Sequence, residues 1–299
     1  MTALTHALSS VESYVAFFSR QTIPVLHRTV DTFARLAQNI DDISHQDISS
    51  AVQADPLMTM HLLSHIETHR ENTQNHDILT VGNAIIMMGI MPFFKAFSDM
   101  PTVEDALSSR PKALLGLLRV VSRASRAAQY ARDWAIIRRD LDVNEITIAA
   151  LLFEAAEMMC WINAPELTQR VFDMQRANRE LRSAVAQREV FGVTARELQL
   201  GLIRAWRLPK LLVDLLDASQ TNNPRVRTIA LAADLARHTA GGWNNKALPD
   251  DVSQIHSLLR ISPEVLLRNI EAPEEAWPTL LPAIHRSIRS MTGRKPNPC

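Results

Sequence analysis

The chain has 299 residues, 46% of them apolar, with 32 basic and 32 acidic side chains. This length suits one large domain or two small ones, and the zero net charge argues against a generic nucleic-acid binder. No apolar run approaches the ~20 residues of a membrane-spanning helix. The opening residues, MTALTHALSSVESYVAFFSR, put no basic leader before their apolar positions, so they do not read as a signal peptide. Cys160, inside an apolar segment, and Cys299, the last residue, form no disulfide framework and suit a reducing cytoplasm. Glycine occurs only 8 times while Ala, Leu, Arg, Glu and Met are frequent. With no alternating strand pattern or Asn-Gly hairpin signal, the fold class is read as all-α.

Residues 1–19 are predicted to form an N-terminal helix. Ser44, with Asp47 three residues on, starts a helix at HQDISSAVQ, and Thr80 opens VGNAIIMMGIM. Thr102, followed by Glu104 and Asp105, starts another, and Asn144 opens EITIAALLFEAAEMMCWI. Thr194 and Glu197 have capping-box spacing, and Ser262-Pro263-Glu264 combines a cap, a first-turn proline and an acid. About a dozen helices are predicted, with no repeat period. Two polar, proline-bearing seams, Phe97–Ala113 and Asp217–Val226, divide them. They predict a first lobe over about 20–100, a second over 111–218, and a C-terminal helical section, 219–299, packed on the 20–218 domain. The stretch 146–163 reads as one helix, apolar on nearly every side, whose only charges are Glu154 and Glu157. Three residues apart, these acids share a face that must meet water or a partner.

The order of several segments resembles the HDOD domain, a relative of the HD phosphohydrolases. Ile23-Pro24 matches its Leu-Pro entry, Asp55-Pro56 its Asp-Pro helix start, and Met88-Gly89 its Leu-Gly helix end. Gly192, Val193, Trp206, Leu208 and Pro209 match its Gly-Val and Trp-x-Leu-Pro segment. The resemblance covers roughly residues 20–270. It implies a multi-helix HD-like fold and a role in bacterial signal transduction, beside response-regulator or cyclic-dinucleotide modules.

The departures concern the metal site that the resemblance places in HD enzymes. Phe153 and Glu154 stand at the His-Asp doublet, in LLFEAAEMMC. Ala195 stands where the pattern has a further His, Asp217-Ala218 where a His pair often follows, and Val121 or Ser122 where an early helix carries the first ligand. No histidine occurs between His76 and His238. Glu67-Thr68 replace the family's Asn-Ser. A water-activating metal needs about three protein ligands and an open position. The site is therefore expected to be degenerate, with no catalytic residue, no metal and no cofactor.

Other candidates stay open between a functional and a plain structural role. His61, His65 and His69 repeat every four residues and could chelate a metal or simply form a boundary stripe. His76-Asp77 is a doublet in a polar connector, read as loop chemistry. Arg119, Arg123 and Arg126 fall on one helix face as a possible contact stripe for an acidic protein or phosphate-bearing partner, or as a solvated face. Cys160, among Met158, Met159 and Trp161, reads as core. There is no Walker A loop, dinucleotide-binding glycine motif, Gly-x-Ser-x-Gly elbow or Cys-x-x-Cys. The leading expectation is a cytoplasmic, non-enzymatic signalling or interaction protein with protein partners supplied in trans and no membrane attachment. A divergent metal-dependent phosphohydrolase using Glu154 and Glu157 is the alternative, and nucleic-acid binding through the arginines ranks below both.

Overall fold

The computed structural model describes residues 3–69, 80–178, 180–217, 219–220 and 222–292. Among these residues the fold is helical, and the only bridge of β type joins Val25 to Thr102. The helices are α1 (Val11–Phe18), α2 (His27–Ala37), α3 (His45–Gln53), α4 (Pro56–His69), α5 (Val81–Met88), α6 (Ile90–Phe97), α7 (Val103–Ala106), α8 (Pro111–Ile137) and α9 (Val143–Leu152). There follow α10 (Ala155–Asn163), α11 (Pro165–Ala177), α12 (Ser183–Phe191), α13 (Ala195–Ala205), α14 (Lys210–Leu216), α15 (Pro224–Thr239), α16 (Leu248–Leu259), α17 (Pro263–Asn269) and α18 (Trp277–Thr292). No helix among the described residues is long and apolar enough to cross a membrane.

The chain folds into two compact units. Met1–Ser125 and Leu152–Leu216 form the first, while Arg126–Leu151 and Asp217–Cys299 form the second. A division falls between Leu216 and Asp217, and none falls within Phe97–Ala113. That segment holds α7 and the start of α8, and α8 itself runs from the first unit into the second. Residues 126–151 thus group with the C-terminal section instead of lying in a second lobe over 111–218. The reason is aromatic. Tyr130 stacks on Trp134, with ring centroids 5.7 Å apart. Tyr130 donates its hydroxyl to the Ile270 carbonyl at 3.3 Å, and Trp134 Nε1 donates to Asn269 Oδ1 at 2.9 Å.

Most helix starts follow the side chains read from sequence. The Ser44–Asp47 and Thr194–Glu197 capping boxes are complete, and Thr80, Thr102 and Ser262 each accept from a backbone N–H three residues on. The Asn144 start is displaced, because α9 begins at Val143. The helix predicted from Thr80 divides at Gly89, whose φ of 81° ends α5 and lets α6 leave in a new direction.

Asp55 does the work of two caps in the first unit. Its Oδ1 accepts from the Leu57 and Met58 N–H groups at the start of α4, at 2.9 and 3.3 Å. Its Oδ2 accepts from the Leu26 N–H and the Thr29 hydroxyl at the start of α2, both at 2.8 Å. Pro56 follows as the first residue of α4, where its missing N–H costs nothing. The carboxyl is fully buried, and burial pushes its pKa up while these four donors oppose the shift. Asp55→Ala should lower stability by about 3 kcal/mol, since it strands buried donors at two helix starts. Asp55→Asn should lose less, because an amide oxygen still accepts. Urea unfolding of both variants checks the order.

In the second unit His238 Nδ1 lies 2.6 Å from Asp251 Oδ2. The Asp251 hydrogen bond raises the His238 pKa above its ordinary value, against burial. The charges of Asp251 and Asp234 add to the rise, and that of Arg237 subtracts. Folding therefore favours the protonated ring. This contribution is complete below the unfolded value of about 6.5 and is lost as pH rises through the raised folded value. The Tm difference between the parent and His238→Gln should accordingly be larger near about pH 6 than near about pH 9.

Candidate functional site

The doublet position lies at a break between two helices. The sequence predicts one helix over 146–163, but α9 ends at Leu152, Phe153 and Glu154 form a turn, and α10 restarts at Ala155. Glu154 has φ −105° and ψ 19°, outside the helical range. The cause is a side chain inserted into the helical ladder. Gln199, on the buried face of α13, donates Nε2 to the Leu152 carbonyl at 2.6 Å. Its Oε1 accepts from the Ala156 N–H at 2.7 Å. Those two backbone groups are four residues apart and would bond each other in a continuous helix. One amide, with one donor and one acceptor aimed oppositely, takes both and holds the break open.

The break turns Glu154 toward α8. Arg123 Nε donates to Glu154 Oε2 at 3.2 Å, and Arg123 Nη2 donates to Glu154 Oε1 at 3.3 Å. The same Nη2 donates to Glu157 Oε1 at 3.0 Å. The Glu154 side chain is 5% exposed, that of Arg123 18% and that of Glu157 27%. Burial works against the Arg123 charge, but the nearby Glu157 and Glu154 carboxylates outweigh it and hold the guanidinium charged, above its usual range. Removing one partner from such a buried pair costs about 3–5 kcal/mol, because the other charge stays buried and uncompensated.

Close backbone approach sets the alignment. A Cβ on Gly116 would lie 2.5 Å from the Trp161 indole, so only glycine fits where α8 meets α10. Arg123 lies seven residues after Gly116, on the same face of α8. Glu154 lies seven residues before Trp161, so the two segments run antiparallel and the arginine arrives opposite the carboxylates.

These residues do not fit a metal. Phe153 is half-buried and offers no lone pair, and Ala195 is a first-turn helix residue whose N–H donates to Gln187 Oε1 at 2.9 Å. Val121 is buried and apolar, and Ser122 is exposed. Asp217 accepts from Ser219 N–H and Oγ at 3.0 and 2.7 Å. A guanidinium has five donors and no acceptor, so it cannot ligate a cation, and it already engages both carboxylates. No group of three or more His, Cys, Asp or Glu side chains able to hold a metal occurs among the described residues.

The arginine stripe needs correction. Arg119 and Arg126 are exposed, and Arg119 sits over the Phe172 ring with its guanidinium carbon 5.5 Å from the centroid. Arg123 instead turns inward to its carboxylates, so the three do not form one exposed row. Sequence spacing put them on one face but gave no sign that this face is partly covered by α10. The histidines are also engaged locally. His61 Nε2 lies 2.6 Å from the Ile23 carbonyl and must donate to it, and burial lowers its pKa. His65 and His69 stack with centroids 4.1 Å apart, and His69 Nδ1 lies 2.8 Å from the His65 carbonyl. His76-Asp77 lies outside the described residues. Cys160 is buried, and burial, aided by Glu157, pushes its thiol pKa up, away from a reactive thiolate.

The sequence pattern of the HDOD domain matches residues 23–222. The chain belongs to the HDOD domain family. The fold agrees with solved structures at low identity. The MmoQ response regulator of Methylococcus capsulatus is 18% identical with a TM-score of 0.61, covering 84% of this chain and 99% of that one. A virulence factor of Campylobacter jejuni is 16% identical with a TM-score of 0.61, covering 90% of this chain and 99% of that one. No curated protein matches the chain by sequence. The HDOD pattern residues have structural tasks here. Asp55 and Pro56 start α4, and Gly89 divides α5 from α6. The Trp206 carbonyl accepts from Ser64 Oγ at 2.8 Å, and the carbonyl of buried Pro209 accepts from Leu212 and Val213 at the start of α14.

Gln199 and the inward role of Arg123 were not read from the sequence. The available signal was a polar residue at Gln199 on the apolar face formed with Leu198, Leu202 and Ile203, since a buried amide must find partners. Gln199→Leu should lower stability by about 2–4 kcal/mol, because the Leu152 carbonyl and the Ala156 N–H would then be buried and unpaired. Chemical denaturation measures that loss. Hydrogen exchange at the Ala156 N–H should also quicken, because that group loses its acceptor.

Proposed function

We propose that this HDOD protein is a non-enzymatic component of a signalling pathway that acts through contacts with protein partners. The observation that carries this reading is the Arg123 guanidinium between Glu154 and Glu157. It fills the position where the resemblance to HD enzymes calls for metal ligands, and it commits both carboxylates to an ion pair. Hydrolysis of a phosphoester there would need an activated water and a cation to receive the developing charge. The residues present offer neither an imidazole base nor a free pair of ligands. Membership of the HDOD family and the fold shared with a protein called a response regulator support the signalling half of the reading.

Purified protein supplied with Mn²⁺ or Fe²⁺ and challenged with cyclic dinucleotides and nucleotides is expected to give no turnover. Elemental analysis is expected to find no stoichiometric metal whose binding depends on Glu154. Turnover together with a metal lost in Glu154→Gln would replace this reading by that of a divergent phosphohydrolase.

A further inference from the structure

We infer that Arg123 is a built-in cation: its guanidinium takes the electrostatic place of a metal ion and keeps Glu154 ionised and buried at the helix break. The inference rests on the reading that this position performs no metal chemistry, and it assigns the arginine a task of its own. Glu154 is held at the break by Gln199, which fixes the backbone on either side of it. Its side chain stays 5% exposed beside that fixed backbone. A carboxylate so placed needs a compensating cation or a proton. Arg123 supplies the cation through two N–H groups to Glu154 and shares one of them with Glu157. An arginine suits this task better than a lysine, because the fork of the guanidinium matches both carboxylate oxygens and stays charged when buried.

The alternative is that Arg123 serves only as packing, through its aliphatic stem against α10. The two differ in what the glutamates do. If Arg123 is a counter-ion, the glutamates become a liability once it is removed, and neutralising them relieves the damage. If it is packing, their charge is irrelevant.

The experiment compares thermal unfolding of the full-length parent, Arg123→Gln, and the triple variant Arg123→Gln/Glu154→Gln/Glu157→Gln, each with and without millimolar Mn²⁺. The single variant is expected to melt about 5–10 °C below the parent, as for an uncompensated buried charge in a protein of this size. The triple variant is expected to recover at least half of that loss. Mn²⁺ is expected to raise the Tm of Arg123→Gln more than that of the parent or the triple variant, since only the single variant keeps both carboxylates without the guanidinium. Should the single variant be insoluble, a soluble triple variant carries the inference equally.

An Arg123→Gln protein that melts with the parent overturns the inference. So does a triple variant no more stable than the single one, or one equally insoluble, and so does an equal response of all three proteins to Mn²⁺. None of these results creates turnover in the parent, so they leave the proposed function standing. Turnover by the parent would defeat that function whatever the variants do.

Discussion

A carboxylate that the backbone holds inside the protein must be neutralised there. Glu154 sits in the turn that separates α9 from α10, and the turn is fixed from outside by the Gln199 amide. The neutralising charge comes from Arg123 on α8. Its arrival depends on the glycine at 116, which lets α8 lie against Trp161. Three helices, α8, α10 and α13, thus meet at one polar knot inside an otherwise apolar surrounding. Local electrostatics, and not hydrophobic burial alone, sets the register of these helices.

The same economy appears at Asp55 in the first unit. Helical proteins leave several N–H groups unsatisfied at each helix start. Asp55 satisfies those of two helices with one side chain, two donors on each oxygen. Gly89 performs the complementary task at a helix end, where a positive φ is required. Pattern residues of the HDOD family such as Asp55, Pro56 and Gly89 here stand where the backbone changes direction.

Packing around the doublet position rests on apolar side chains. The apolar faces of α9 and α10 bury Leu151, Leu152, Met158, Met159 and Trp161 whatever occupies the doublet. Phe153 is half-buried, Glu154 is buried, and the Arg123 guanidinium supplies positive charge from within the chain. The packing requirement of this position is met by these residues.

The sequence by itself determined the helical class, most helix starts and the HDOD relationship, because capping and helix propensity are local and an ordered set of punctuating residues survives divergence. The reading of Phe153, Glu154 and Ala195 as departures from a ligand set rests on residue type alone, since ligand chemistry is a property of residue type. Tertiary structure alone decided where α9 ends, because the interrupting amide comes from Gln199, forty-three positions beyond the Ala156 N–H it accepts from. It decided that Arg123 faces inward while Arg119 and Arg126 do not. Spacing of i, i+4 and i+7 places side chains on one face, but only the neighbouring helix determines which part of that face it covers. It also moved residues 126–151 into the C-terminal unit, through Tyr130 and Trp134 reaching Ile270 and Asn269. Such contacts join residues about 135–140 positions apart, and no periodicity within a single helix encodes them.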